Sequence, residues 1–209
     1  MTLPTLITNN RNKQLETSLK KAYSVIGQAL DMYQAENGER INYENTLGWK
    51  LKPLLMNYLK TVRDCGMGTN EDTACIPHST TDQSKDSTVY KTYNGTSVID
   101  LVYFDDGQFV LSDGMLVLIE NNTRDGKNLR MYISVDVNGF NKKPNRLGQD
   151  LFMFQIDKKG ALLPMGAEGT DYYSETDEYC SSTSSNNLNG IGCTYKALTE
   201  KDYFNKLPK

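Results

Sequence analysis

The densest run of oxygen donors in the sequence is Asp136-x-Asn138-Gly139-x5-Asn145-x4-Asp150. A hard cation such as calcium takes six to eight oxygens from carboxylates, amides and backbone carbonyls. Asp136, Asn138, Asn145 and Asp150, with a loop carbonyl, supply most of such a set. The order of ligands and the missing closing Glu exclude an EF-hand. A structural role competes with the metal: Asn138-Gly139 as a turn, with Asp136 and Asp150 accepting hydrogen bonds from loop amides. Catalytic chemistry finds less material. The pairs Asp105/Asp106 and Asp171/Glu175 have the residue types of a glycosidase carboxylate pair, but turn and loop positions account for them. Glu168, Asp171, Glu175, Asp177 and Glu178 read as a solvated acidic loop. The single His, His78, lies in a polar, cysteine-flanked loop and is expected at the surface, leaving at most one imidazole base. No GxSxG, HExxH, P-loop or GxGxxG pattern occurs. No residue is assigned a catalytic role, and the chain is not expected to be an enzyme.

Four cysteines, Cys65, Cys75, Cys180 and Cys193, form no CxxC pair, and their spacing with one His does not suit zinc. They allow three disulfide connectivities. The favoured one is local, Cys65–Cys75 and Cys180–Cys193, because each pair brackets a stretch that cannot pack by itself: Gly66, Gly68, Thr69 and Asn70 in the first, residues 181–187 (Ser-Ser-Thr-Ser-Ser-Asn-Asn) in the second. Such flanks are too polar for four buried thiols, so the cysteines point to an oxidising compartment.

Those residues need elements to hold them. With 209 residues the chain has the length of one domain, or of one domain plus an appendage. The 23 basic and 26 acidic residues leave a net charge of −3, which gives nucleic acid no long-range attraction. Hydrophobic residues make up 38%, and 13 Tyr and 6 Phe supply the bulk of a core. No apolar run is long enough to cross a bilayer. From Leu15 the apolar positions run Leu19, Ala22, Tyr23, Ile26, Ala29, Leu30 and Tyr33, in steps of three and four that predict one long helix closed by Asn37-Gly38. A helix from Thr2 to Glu36 would be about 50 Å long at ~1.5 Å per residue, so part of it must protrude. A second helix is expected over 44–62, with Leu47, Leu51, Leu54, Leu55, Tyr58, Leu59, Val62 and Trp49 on its core side and Pro53 ending or kinking its first turns.

Residues 63–96 read as a polar surface excursion. The period then changes to two, predicting strands over 97–104, 108–112, 115–120, 129–136 and 151–157, joined by tight turns at Asp106-Gly107, Asp113-Gly114 and Asp125-Gly126. Leu129, Met131, Ile133 and Val135 alternate with Arg130, Tyr132, Ser134 and Asp136, implying one buried and one wetter face. The sequons at Asn94 and Asn121 are expected to mark exposed turns. Residues 158–209 read as a loop region whose Tyr172, Tyr173, Tyr179, Tyr195 and Tyr203 shield a thin sheet or form an adhesive surface, the former being favoured. The fold class is α+β, a long N-terminal helix on an antiparallel β-meander with disulfide-stapled loops.

The opening Met1-Thr2-Leu3-Pro4-Thr5-Leu6-Ile7, followed by Leu19-Lys20-Lys21-Ala22-Tyr23-Ser24, resembles the sequence just after the apolar N-terminal segment of bacterial type IV pilin-like proteins, the prepilins and type II secretion pseudopilins. Asp136-Val137-Asn138-Gly139, Pro144-Asn145, Gly148, Asp150, Phe152 and Phe154 resemble a pilin-like strand–loop–strand, and residues 190–194 (Gly-Ile-Gly-Cys-Thr) are similar to its close. The leader, the cleavage site and the acidic residue of that family's mature N-terminus have no counterpart here. The resemblance therefore implies the part downstream of a membrane-embedded segment, with 1–38 the end of the pilin helix and 39–209 a globular head. It implies a structural filament subunit, of a type IV pilus or a secretion pseudopilus, at the bacterial surface or in the periplasm. Its partners would be copies of itself or other pilin-like subunits, and a prepilin peptidase for the precursor. Membrane contact would come only through the N-terminal segment. The competing expectation is a secreted or surface-anchored binding domain, adhesin or lectin-like, that uses the 63–96 excursion or the Tyr-rich end.

Overall fold

The computed structural model describes residues 3–70, 72–77, 89–122 and 129–209. His78 and the Asp125-Gly126 turn fall outside them. The helical stripe holds: α1 (Leu3–Asn37) is one unbroken helix, and Leu15, Leu19, Ala22, Ile26, Ala29 and Leu30 are its buried face. Tyr23 stacks on Phe154 with ring centroids 5.5 Å apart. Gly38, at φ +77°, donates its N–H to the Gln34 carbonyl and ends the helix with a left-handed cap. From Leu6 on, the first buried residue is Asn12, whose Nδ2 donates to the Phe204 carbonyl. Residues 6–11 are all exposed, so the start of α1 projects past the head.

The helix expected over 44–62 shrinks to α2 (Leu51–Met56). Upstream, Asn42 Oδ1 accepts from the N–H groups of Glu44 and Asn45, and this local turn replaces a helical start. Trp49 adopts φ +64° and is 39% exposed, and Leu47 and Val62 are also exposed, so these three leave the core that the spacing gave them. Pro53 is tolerated because it lies in the first turn, where no intrahelical N–H is lost. Past Leu59 the chain extends as β1 (Thr61–Asp64), a strand absent from the sequence reading.

β1 is followed by β2 (Gly107–Leu111), β3 (Leu116–Asn122), β4 (Arg130–Asp136), β5 (Leu151–Ile156) and β6 (Leu162–Pro164), in one antiparallel sheet whose spatial order is the chain order. The expected strand over 97–104 is corrected: Val98 makes only an isolated bridge to Lys91, and Leu101–Phe104 is a 3-10 turn whose start is capped by the Asp100 carboxylate on the Val102 N–H. Asp106-Gly107 accordingly makes no hairpin, whereas Asp113-Gly114 does, with Gly114 at φ +89°. Asn121 is likewise no turn residue but a buried position of β3.

Strand alternation builds two cores. Phe109, Val117, Ile119, Ile133, Val135, Phe152 and Phe154 face α1, α2 and α3 (Cys193–Thr199). Leu116, Leu118, Tyr132, Leu151 and Met153 face the other way and are also buried, under Tyr90, Ile99, Leu101, Phe104, Leu147, Met165 and Ile191. The expected wetter face is therefore closed by the excursion and the C-terminal segment. Tyr172 contributes by packing edge-on against Tyr103, Tyr132 and Tyr179, and Tyr203 is buried beside Tyr93 and Phe204. Tyr173 and Tyr195 stay exposed.

Candidate functional site

The two disulfides join Cys65 to Cys75 and Cys180 to Cys193. They mark an oxidising, extracytoplasmic environment. No described helix is long and apolar enough to cross a membrane.

The 136–150 loop is the most distinctive polar feature of the head. Antiparallel pairing sets Asp136, the last residue of β4, opposite Leu151, the first of β5, so the intervening loop must return Asp150 to the side of Asp136. The Val137 N–H to Asp150 carbonyl bond, 2.9 Å, closes that junction. Gly139, at φ +81°, lets the chain turn beneath the β2–β3 hairpin: a Cβ there would lie 2.7 Å from the Gly114 carbonyl oxygen. Asn145 also takes a left-handed φ, +54°, a conformation that Asn tolerates better than most residues.

All four sequence-predicted ligands converge in this loop. Asp136 and Asp150 are fully buried and Asn145 nearly so. Tyr90 donates its hydroxyl to Asp136 Oδ2 at 2.8 Å, and the Asn138 N–H reaches Asp136 Oδ1 at 3.3 Å. Asp150 accepts from the N–H groups of Asn145 (2.8 Å) and Arg146 (2.7 Å), and weakly from Asn138 Nδ2 (3.4 Å). Asn145 Nδ2 donates to the Phe140 carbonyl. The amide oxygens of Asn138 and Asn145 are buried without a hydrogen-bond partner among the described residues. Burial, reinforced by Asp150, raises the Asp136 carboxyl to about 7. Burial raises Asp150 to about 6 against the opposing N–H bonds of Arg146 and Asn145. None of the ion pairs among the described residues involves either carboxylate.

A second acidic group was legible only in part: the Asp105/Asp106 pair shows in the sequence, but Glu120 does not join it there. The 3-10 turn delivers Asp105 and Asp106 to the edge of β3, where they meet Glu120, with carboxylate oxygens within 4.8 Å of one another. Asp106 and Glu120 are fourteen positions apart in the chain, and only the β2–β3 register, Gly107 opposite Ile119, brings them together. Burial and then repulsion from Asp106 raise Asp105 to about 7. Burial and then repulsion from Asp106 and Asp105 raise Glu120 to about 8, despite Arg130 at 3.6 Å. Asp106 is spent on the Asn121 N–H at 2.8 Å. An open pocket of about 250 Å³ adjoins the group, with Gly48, Trp49 and Val102 among its walls.

The remaining acidic loop divides. Asp171 accepts from the Tyr132 hydroxyl (2.5 Å) and Gln155 Nε2 (3.1 Å), which ties the C-terminal segment to the sheet. Asp177 pairs with Lys196. Glu168, Glu175 and Glu178 are exposed or half-exposed as expected of a solvated loop.

The chain belongs to a family described as being of unknown function (DUF6613), which matches residues 5–203. No curated protein and no solved structure matches the chain.

Proposed function

We propose that this chain is the head of a pilin-like subunit of an extracytoplasmic filament, a type IV pilus or a type II secretion pseudopilus. The observation that carries the reading is the asymmetry of α1. Its second half is locked onto an antiparallel meander, while its start leaves the head with Leu6 57% and Ile7 61% exposed. The exposed Leu6 and Ile7 side chains gain nothing in water; packed against the same helix of neighbouring subunits they bury that surface. Repeated heterologous contacts of this kind propagate into an open helical assembly. In this reading the disulfide-stapled loops form the outer surface, a prepilin peptidase processes the precursor, and the anchor before assembly is a membrane helix that joins α1.

Immunogold electron microscopy of cells that make the protein, with antibodies raised against the purified chain, tests it. Gold spaced along thin fibres, or along fibres sheared from the cells, is the expected result. Label confined to the envelope with no fibre would replace the filament with a surface-anchored binding domain.

A further inference from the structure

The Asp105, Asp106 and Glu120 group faces an open pocket of about 250 Å³ with more negative charge than its surroundings match. Among the described residues one cation pairs with it, Arg130 at 3.6 Å from Glu120. Burial and mutual repulsion hold Asp105 and Glu120 above the usual carboxylate range, so the group gains when a further positive charge arrives. The same pocket carries a second unmet group. Asn121, one of its walls, is 1% exposed, and its Nδ2 is buried without an acceptor among the described residues. Its Oδ1 already accepts from the Leu51 N–H at 3.2 Å, so the amide cannot turn to present an oxygen instead. Trp49 and Val102 add apolar surface to the pocket and are 39% and 42% exposed. Trp49 holds that place in a left-handed backbone, φ +64°, which a bulky residue adopts only at a cost. An occupant that meets all of this has three parts: a positive head, an apolar stem and an oxygen that accepts from an amide.

We propose that this pocket binds a lysine side chain presented by a partner protein, with its ammonium on Asp105, Asp106 and Glu120, its methylene stem against Trp49 and Val102, and a peptide carbonyl accepting from Asn121 Nδ2. The spacing of the carboxylates selects the head group. The three N–H groups of an ammonium point at tetrahedral angles, so at a donor–acceptor distance of about 2.8 Å the oxygens they reach lie about 4.6 Å apart. The three carboxylates offer oxygens within 4.8 Å of one another. A guanidinium is a planar fork that pairs best with one carboxylate at a time. Calcium would draw its oxygens in to about 2.3–2.6 Å, wants at least about six of them, and leaves the Asn121 N–H unmet. A chain's N-terminal ammonium has the charge but no stem, whereas lysine lays four methylenes along apolar surface and keeps its head beyond them. This inference is independent of the filament reading, because it concerns a pocket of the head alone.

The chain has a single tryptophan, and it stands in this wall, so its fluorescence reads the pocket directly. The purified chain is titrated at fixed ionic strength with the methylamide of Nα-acetyl-lysine, and the titration is repeated by calorimetry. Saturation with a Kd of about 1 mM is expected, the range open to a single side chain. The methylamide of Nα,Nε-diacetyl-lysine keeps the stem and the carbonyls without the charge and should give no saturable change. Butylammonium chloride has the head and stem without the carbonyl and should bind about threefold more weakly or worse. Glu120→Gln should weaken the lysine amide about tenfold or more. Asp105→Asn is the second variant, with circular dichroism to show that both remain folded. Neither a fluorescence change nor heat in the parent would overturn the proposal, as would an equal response to the diacetyl amide, to butylammonium or to calcium chloride. So would unchanged affinity in both folded variants.

Discussion

Glu120→Gln isolates the carboxylate trio at the start of β2. Glu120 is 4% exposed and sits in a group of three acids opposed by one Arg130 contact. Its pKa rises on folding from 4.5 to about 8. A carboxyl shifted upward binds its proton more tightly in the folded chain. Its contribution to stability is thus full below about 4.5 and is lost as pH climbs through 8. Each pH unit in that window removes about 1.4 kcal/mol for one retained proton. Between pH 5 and 7 the loss is about 2–3 kcal/mol, counted once for the trio because discharging one member relaxes the other two. For a chain of this length, 1 kcal/mol is about 2–4 °C in Tm.

The Gln variant keeps the shape of the side chain and removes the charge. It is predicted to unfold about 7–14 °C higher than the parent at pH 7.5 and within about 3 °C of it at pH 5. Arg130 loses a partner at 3.6 Å but keeps its position over the Tyr103 ring, 5.5 Å from the centroid, so the offsetting cost is small. Scanning calorimetry at pH 5, 6, 7 and 8, at fixed ionic strength and with chelator throughout, checks this. The chelator gives the 136–150 loop the same background in both proteins. A variant destabilised by the same amount at every pH would refute the reasoning, since it would mean that Glu120 is ionised and held by Arg130.

Three further outcomes follow from packing. Gly166→Ala should prevent folding or cost several kcal/mol, because φ is +95° and the new Cβ would lie 1.9 Å from the Gly192 carbonyl oxygen; Gly27→Ala, in α1 with nothing within 4 Å, should instead stabilise by about 0.5–1 kcal/mol in urea unfolding. Leu19→Ala, at a fully buried position, should cost about 2–5 kcal/mol, whereas Ile7→Ala should stay within about 0.5 kcal/mol and leave the circular dichroism of the head unchanged. Replacing both Cys180 and Cys193 by Ser should lower Tm by about 5–10 °C, since closing thirteen residues is worth roughly 2–3 kcal/mol; an unchanged Tm would mean that the neighbouring packing holds that segment without the bond.

What could be read from the sequence follows from what carries a period. The stripe of α1 repeats over five turns, and Asp113-Gly114 has the residues its turn demands, so both were legible. The spacing after Asn42 was helical too, but asparagine side chains there bond the backbone of their neighbours, and that local competition carries no hydropathy signal. The cover over the second core was lost in a similar way. Gln108 Oε1 accepts from the Cys75 N–H while its Nε2 donates to the Phe104 carbonyl, and Gln155 Oε1 accepts from the Asp171 N–H while its Nε2 donates to Asp171 Oδ1. These glutamines anchor polar segments from inside the sheet, so a composition that reads as solvated loop is ordered. The four residues of the 136–150 loop were legible because they share one short segment. Glu120 was not grouped with Asp105 and Asp106, because that contact is made by strand register alone. A polar residue that satisfies the backbone of another segment has no periodicity to betray it. A strand that reads polar on one face therefore predicts either water or a covering segment, and only the donors and acceptors of that segment decide between them.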